Sequence, residues 1–165
     1  MLRASGGPPP GDAVAAILQG YADRAVFRGF ARGPVRAGVA AFKMLWHRDR
    51  SFELLVDTRK RTLRFPVVLP QVPARSAMYA EFKEFVASKQ DNSLPEHRRI
   101  DPRKARVSCA NRAGNVSLTM TLRDRDFEYA TRRLIHLVHE TYIAFLPDGH
   151  FEYMVEAFNL DPDRP

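Results

Sequence analysis

The stretch that decides the fold is "RVSCANRAGNVSLTMTLRD", residues 106–124. Its second half alternates Val116, Leu118, Met120 and Leu122 with Ser117, Thr119, Thr121 and Arg123. Period-two alternation of this kind belongs to a strand with one buried face. Asn111 to Asn115, around Gly114, supply residues suited to reversing the chain. The stretch therefore reads as a β-hairpin whose sheet is buried on one side and wet or partner-facing on the other.

Three earlier runs carry the same signal. "GVAAFKMLWH" (38–47) places Ala40, Phe42, Met44 and Trp46 on one side, and "SFELLVD" (51–57) turns Phe52, Leu54 and Val56 inward. "TLRFPVVLP" (62–70) does so with Leu63, Phe65 and Val67, while Pro66 removes a ladder donor and asks for an edge strand or a bulge. Short polar connectors make these runs an antiparallel meander.

Helical spacing fills the gaps. Asp12 is a plausible N-cap for a helix carrying Val14, Ile17, Leu18, Tyr21 and Ala25, which should stop by Gly29 or by Gly33-Pro34. Ser76 caps a second helix with the stripe Met78, Phe82, Phe85 and Val86. A third starts at Asp124 or Asp126 and runs to about Leu146, where Pro147-Asp148-Gly149 stops it. Phe151, Met154, Val155 and Phe158 then mark a short closing helix. The expected fold class is α+β: a single five-stranded antiparallel sheet with helices packed on it, in the order α-β-β-β-α-β-β-α plus the short C-terminal helix. The expected organisation is a disordered tail over 1–11, one domain over 12–160 and a tail over 161–165.

The chain has 165 residues, which suits one domain, and 45% hydrophobic with 27% charged residues is globular composition. Cys109 is alone, so it forms no intrachain disulfide and reads as a reduced, buried thiol. No apolar run approaches the roughly 20 residues of a membrane helix, and the N-terminus has no signal-like apolar core. The expected location is the cytoplasm, with no membrane contact. The net charge of +7 is unevenly placed. "TRKRTLR" (58–64) has no acid, "EHRRIDPRKAR" (96–106) has five bases against two acids, and the last 18 residues set five acids against Arg164. Such asymmetry attracts nucleic acid, an acidic protein or a second copy.

No catalytic signature stands out. On the third helix, at about 100° per residue, Phe127, Ala130, Leu134, Val138, Thr141 and Phe145 form the core stripe. Tyr129, Arg132, His136, His139 and Ile143 lie opposite, and Glu140 falls between the two faces. Metal binding needs three converging ligands; "HLVHE" (136–140) matches no zinc signature, and His47, His97 or His150 would have to arrive from elsewhere. A solvated face should not carry Tyr129 and Ile143 beside two histidines and an arginine, whereas an interface should. A second chain is the expected cover. "RGFA" (28–31) opens like an RNA-recognition motif but is broken at once by Arg32-Gly33-Pro34. "RFPVVLPQVP" (64–73) reads as a strand followed by an extended crossover. Neither basic stretch interleaves aromatics for base stacking.

The element order over about residues 12–146 resembles that of type III secretion chaperones and of the YbjN-like proteins that share their fold. The resemblance implies a small homodimer without cofactors that binds other proteins. The chain departs from those chaperones in charge, being basic where they are acidic. The functional expectation is a non-catalytic protein-binding adaptor or chaperone-like module, active as a homodimer with an unidentified protein partner, and interface residues Tyr129, Arg132, His136, His139 and Ile143. The alternative is a nucleic-acid-binding regulator using Arg59, Lys60, Arg61, Arg98, Arg99, Arg103 and Lys104. A metal-dependent enzyme at the histidines is the third reading.

Overall fold

The computed structural model describes residues 8–158. In chain order it contains α1 (Pro10–Asp23), β1 (Gly29–Arg32), β2 (Val39–Leu45), β3 (Ser51–Asp57), β4 (Thr62–Leu69), α2 (Ala77–Ser88), β5 (Ala105–Arg112), β6 (Asn115–Leu122), α3 (Phe127–Glu140) and α4 (Phe151–Phe158). The strands form one antiparallel sheet in the order β1-β2-β3-β4-β6-β5. The class is α+β, but the sheet has six strands rather than five. Residues 161–165 and most of 1–11 lie outside the described residues, and Pro10 and Gly11 already belong to α1.

The additional strand is β1, and it contains most of "RGFA". It exists because α1 ends early, at Asp23, in a Schellman closure. Val26 N–H donates to Tyr21 C=O at 2.9 Å and Ala25 N–H to Ala22 C=O at 3.0 Å. Ala25 takes the left-handed position, φ 61°. Glycine usually marks that position, so the stop is hidden in the sequence. The freed chain pairs with β2, setting Phe30 opposite Met44 and its ring on Phe42 at 6.1 Å.

β4 lies between β3 and β6, so Pro66 sits in an interior strand. A bulge permits this: Phe65 pairs with Leu118, and the ladder resumes only at Leu69 opposite Val116. The bulge also turns the side chains over. Val68 and Leu69 are buried, and Val67, expected inward, is partly exposed. The β5–β6 hairpin turns as expected, with Ala113 at φ 51° and Gly114 at φ 89°. Asn111 Oδ1 accepts from Gly114 N–H at 3.0 Å.

All helices lie on one face of the sheet. That face carries Phe42, Phe52, Leu54, Leu63, Phe65, Leu118 and Met120, each almost fully buried. α1 and α3 pack together across it, and α2 lies beside β5. Ser76 caps α2 by accepting from Tyr79 N–H at 3.1 Å. Asp126 caps α3 by accepting from Tyr129 N–H at 3.0 Å. The expected α3 stripe from Phe127 to Phe145 is buried throughout. Beyond Glu140 the helix widens into a π-type turn, Thr141–Phe145, and Gly149 at φ 93° begins the next connection. α4 seats Met154, with Tyr153 and Phe158 partly buried, while Phe151, expected inward, is 54% exposed.

Candidate functional site

The outer side of α3 is covered in good part by the chain's own loop, residues 89–104. The Tyr129 hydroxyl accepts from Asp101 N–H at 2.9 Å and donates to Arg99 C=O at 3.3 Å. Arg133 adds Nε to the same carbonyl at 3.0 Å and a second donation to Glu96 C=O at 3.2 Å. The Lys104 ammonium (4.9 Å) and the Arg133 guanidinium (4.7 Å) both lie over the Tyr129 ring. Ile100 anchors the loop in the core, its N–H donating to Lys89 C=O at 2.8 Å. Around Tyr129, part of the cover that this face asks for is therefore intramolecular.

Glu140 does join His136, though not His139, contrary to its expected direction between the faces. It is buried, and Oε2 receives Lys89 Nζ at 2.7 Å and Arg98 at 3.4 Å. Oε1 lies 2.7 Å from His136 Nε2, yet the two are not aligned as a hydrogen bond, and neither has another partner among the described residues. Burial pushes the Glu140 carboxyl up, but the Lys89 hydrogen bond and charge, with His136 and Arg98, outweigh it and hold the group below its ordinary range. Burial lowers His136, against the pull of Glu140. Lys89 is itself buried, with its ammonium 4.4 Å from the centre of the Phe85 ring. Lys89 was missed, although its spacing of three from Val86 and seven from Phe82 continues the α2 stripe.

His139 turns to the β2–β3 connection. Its Nδ1 is 3.3 Å from His47 Nε2, and the rings stack at 5.2 Å. On the other side His47 lies parallel to Tyr142 at 4.7 Å. Burial, His139 and Arg48 push His47 down to about 4, so it is neutral at neutral pH. The Tyr142 hydroxyl donates to Val68 C=O at 2.6 Å and accepts from Arg50 at 3.2 Å, and burial pushes its pKa up to about 12. Two imidazole nitrogens meet here, but among the described residues no group of three His, Cys, Asp or Glu side chains is placed to hold a metal. His150 is occupied separately by Glu81 at 2.9 Å. Of the five expected interface residues, Arg132 and Ile143 remain exposed, with Arg132 beside Glu128 at 3.7 Å. Cys109 is half-buried beside Tyr79, and burial raises its thiol pKa.

The basic residues divide into two groups. Arg98 is drawn to Glu140, Arg103 to Asp101 at 3.0 Å, and Lys104 to Asp126 at 2.9 Å and Asp124 at 3.3 Å. Arg99 donates to Asn92 C=O at 3.3 Å. Arg59 and Lys60 stand exposed on the β3–β4 turn, which Asp57 shapes by accepting both their N–H groups at 3.1 and 3.0 Å. Arg61 reaches Arg123 C=O at 3.1 Å.

Among the described residues no helix lies on the opposite face of the sheet. Between β1, β2 and β3 it forms an open groove of about 500 Å³. Ala31, Gly33, Pro34, Val39, Ala41 and Leu55 line it, with Arg32, Arg36, Lys43 and Glu53. Lys43 and Glu53 are register partners across β2 and β3, but they form no ion pair with each other. No sequence motif announces this groove; it arises where β1 joins the edge of the meander. Comparison of the chain with protein-family models, curated proteins and solved structures finds no match.

Proposed function

We propose that this chain is a non-catalytic protein-binding module that works as a homodimer, with the helix-free face of the sheet as the surface where the two copies meet. The observation that carries this reading is the groove on that face: apolar side chains with Arg32, Arg36, Lys43 and Glu53 around them, the last two being register neighbours that do not pair with each other. A two-fold interface brings one patch against itself, so it must be self-complementary. Lys43 of one copy can meet Glu53 of the other while Val39, Ala41 and Leu55 lose water. Of the expected α3 interface, Arg132 and Ile143 stay available for a further protein partner. Leaving aside the added strand β1, the element order keeps its resemblance to homodimeric secretion chaperones and YbjN-like proteins, from which a homodimer is expected.

Light scattering coupled to size exclusion tests the dimer at about 10–100 μM, a range that captures micromolar association. The wild type should elute with the mass of a dimer, Leu55→Asp and Lys43→Glu as monomers, and the exchanged pair Lys43→Glu/Glu53→Lys as a dimer again. A monomeric wild type at the upper concentration rejects the proposal. A dimer untouched by these substitutions moves the interface elsewhere.

A further inference from the structure

The fold gathers the basic stretches, distant in sequence, onto one rim of the sheet. Leu122 N–H donates to Arg61 C=O at 2.8 Å, and Arg123 N–H donates to Lys104 C=O at 2.8 Å. These two bonds tie the β3–β4 turn, the end of β6 and the start of β5 together. Arg59, Lys60, Arg61, Arg106, Arg123 and Arg125 are all exposed there. Among the described residues none of the six forms an ion pair. The local acids are already engaged: Asp101 by Arg103, Asp124 and Asp126 by Lys104, and Asp57 by backbone N–H groups. Lys104 offsets only one of Asp124 and Asp126, and Asp57 keeps its charge, so six cations stand against two carboxylates and the rim keeps a net positive charge on the ends of hydrogen-bonded strands.

We infer that this rim binds duplex nucleic acid through its phosphates, without reading base sequence. Five of the six cations are arginines, whose planar fork suits phosphate oxygens. The segments 57–62, 101–106 and 121–126 contain no Phe, Tyr or Trp. The rim thus has no platform on which unpaired bases stack and no aromatic or exposed aliphatic wedge to enter a lipid interface, since Leu122 is buried. A regular array of phosphates on a stiff duplex is the polyanion that asks only for fixed cations. The rim lies at the strand ends rather than in the groove proposed for the dimer, so its occupancy does not depend on that assignment.

The experiment is fluorescence anisotropy with a labelled mixed-sequence DNA duplex of about 20 base pairs, titrated between about 50 and 200 mM salt, the window over which phosphate contacts weaken steeply. The rim variant Arg59→Ala/Lys60→Ala/Arg106→Ala/Arg125→Ala is compared with Arg48→Ala/Arg75→Ala/Lys83→Ala/Arg112→Ala. The second variant removes equal charge at exposed sites away from the rim. Circular dichroism verifies that both fold. The rim variant should bind at least about tenfold more weakly, with a log–log salt slope shallower by about 3–4, and the control within about twofold of wild type on the same scale. Equal losses in the two variants, no binding at the lowest salt, or equal affinity for polyglutamate or phosphatidylserine vesicles overturns the inference.

Discussion

Replacing Glu140 with alanine should be among the most damaging single changes in the protein. The Glu140 and Lys89 side chains are 7% and 8% exposed. Without the carboxylate, the Lys89 ammonium stays buried against the Phe85 ring with its counter-charge gone. Arg98, 44% exposed, can turn to water, but Lys89 cannot without opening the end of α2. Breaking a buried pair from one side costs about 3–5 kcal/mol, a large share of a total stability of about 5–15 kcal/mol. For a chain of this size that lowers Tm by about 6–20 °C. Lys89→Met should cost less, about 1–3 kcal/mol, because His136 and Arg98 still face the carboxylate. The double variant Lys89→Met/Glu140→Leu removes both charges and fills the space, so it should return to within about 1–2 kcal/mol of wild type. Urea unfolding at pH 7.5, followed by circular dichroism with matched m-values, reads all four proteins. A loss below about 1 kcal/mol for Glu140→Ala, or a double variant no more stable than Glu140→Ala, would refute the reasoning, since an ammonium left buried without its counter-charge is what makes that substitution costly.

Three further outcomes follow from single contacts. His47 is held at about 4 in the folded chain against 6.5 unfolded. Its contribution is therefore complete above about pH 6.5 and declines as pH falls toward 4; full burial would make this about 3 kcal/mol and partial solvent access reduces it to about 1–2. An NMR titration placing the His47 midpoint at 6 or above would contradict this. Ala25→Gly relieves a left-handed alanine and should raise stability by about 0.5–1 kcal/mol in thermal unfolding; a loss would show that the Schellman closure does not form. Tyr129→Phe deletes both hydroxyl contacts to the 89–104 loop, costing about 1–2 kcal/mol and speeding tryptic cleavage after Arg98, Arg99 or Arg103. Unchanged cleavage would mean that Arg133 and the Ile100 anchor hold the loop without the hydroxyl.

What the amino-acid sequence determined by itself is whatever short-range periodicity encodes. Val116 to Leu122 had to be a one-sided strand, Phe127 to Phe145 a core stripe, Ser76 a cap, and Ala113-Gly114 a reversal. In each case neighbours a few residues apart share one face, whatever packs on it. Pro66 announced a bulge, but the length of that bulge, and hence the burial of Val68 in place of Val67, depends on the partner strand β6. β1 was hidden because its four residues follow a helix stop made by alanine instead of glycine, and it is held by pairing to β2. The face opposite the α3 stripe was legible as one that something must cover; its cover was not. Glu140 lies at the border of two faces, and its direction was settled by Lys89 arriving from 51 residues away. His139 likewise found His47 across 92 residues. The charged rim is of the same kind: each arginine is visible in the sequence, but only strand order brings the three segments together. Local spacing decides which way a side chain faces, and tertiary structure decides what it meets.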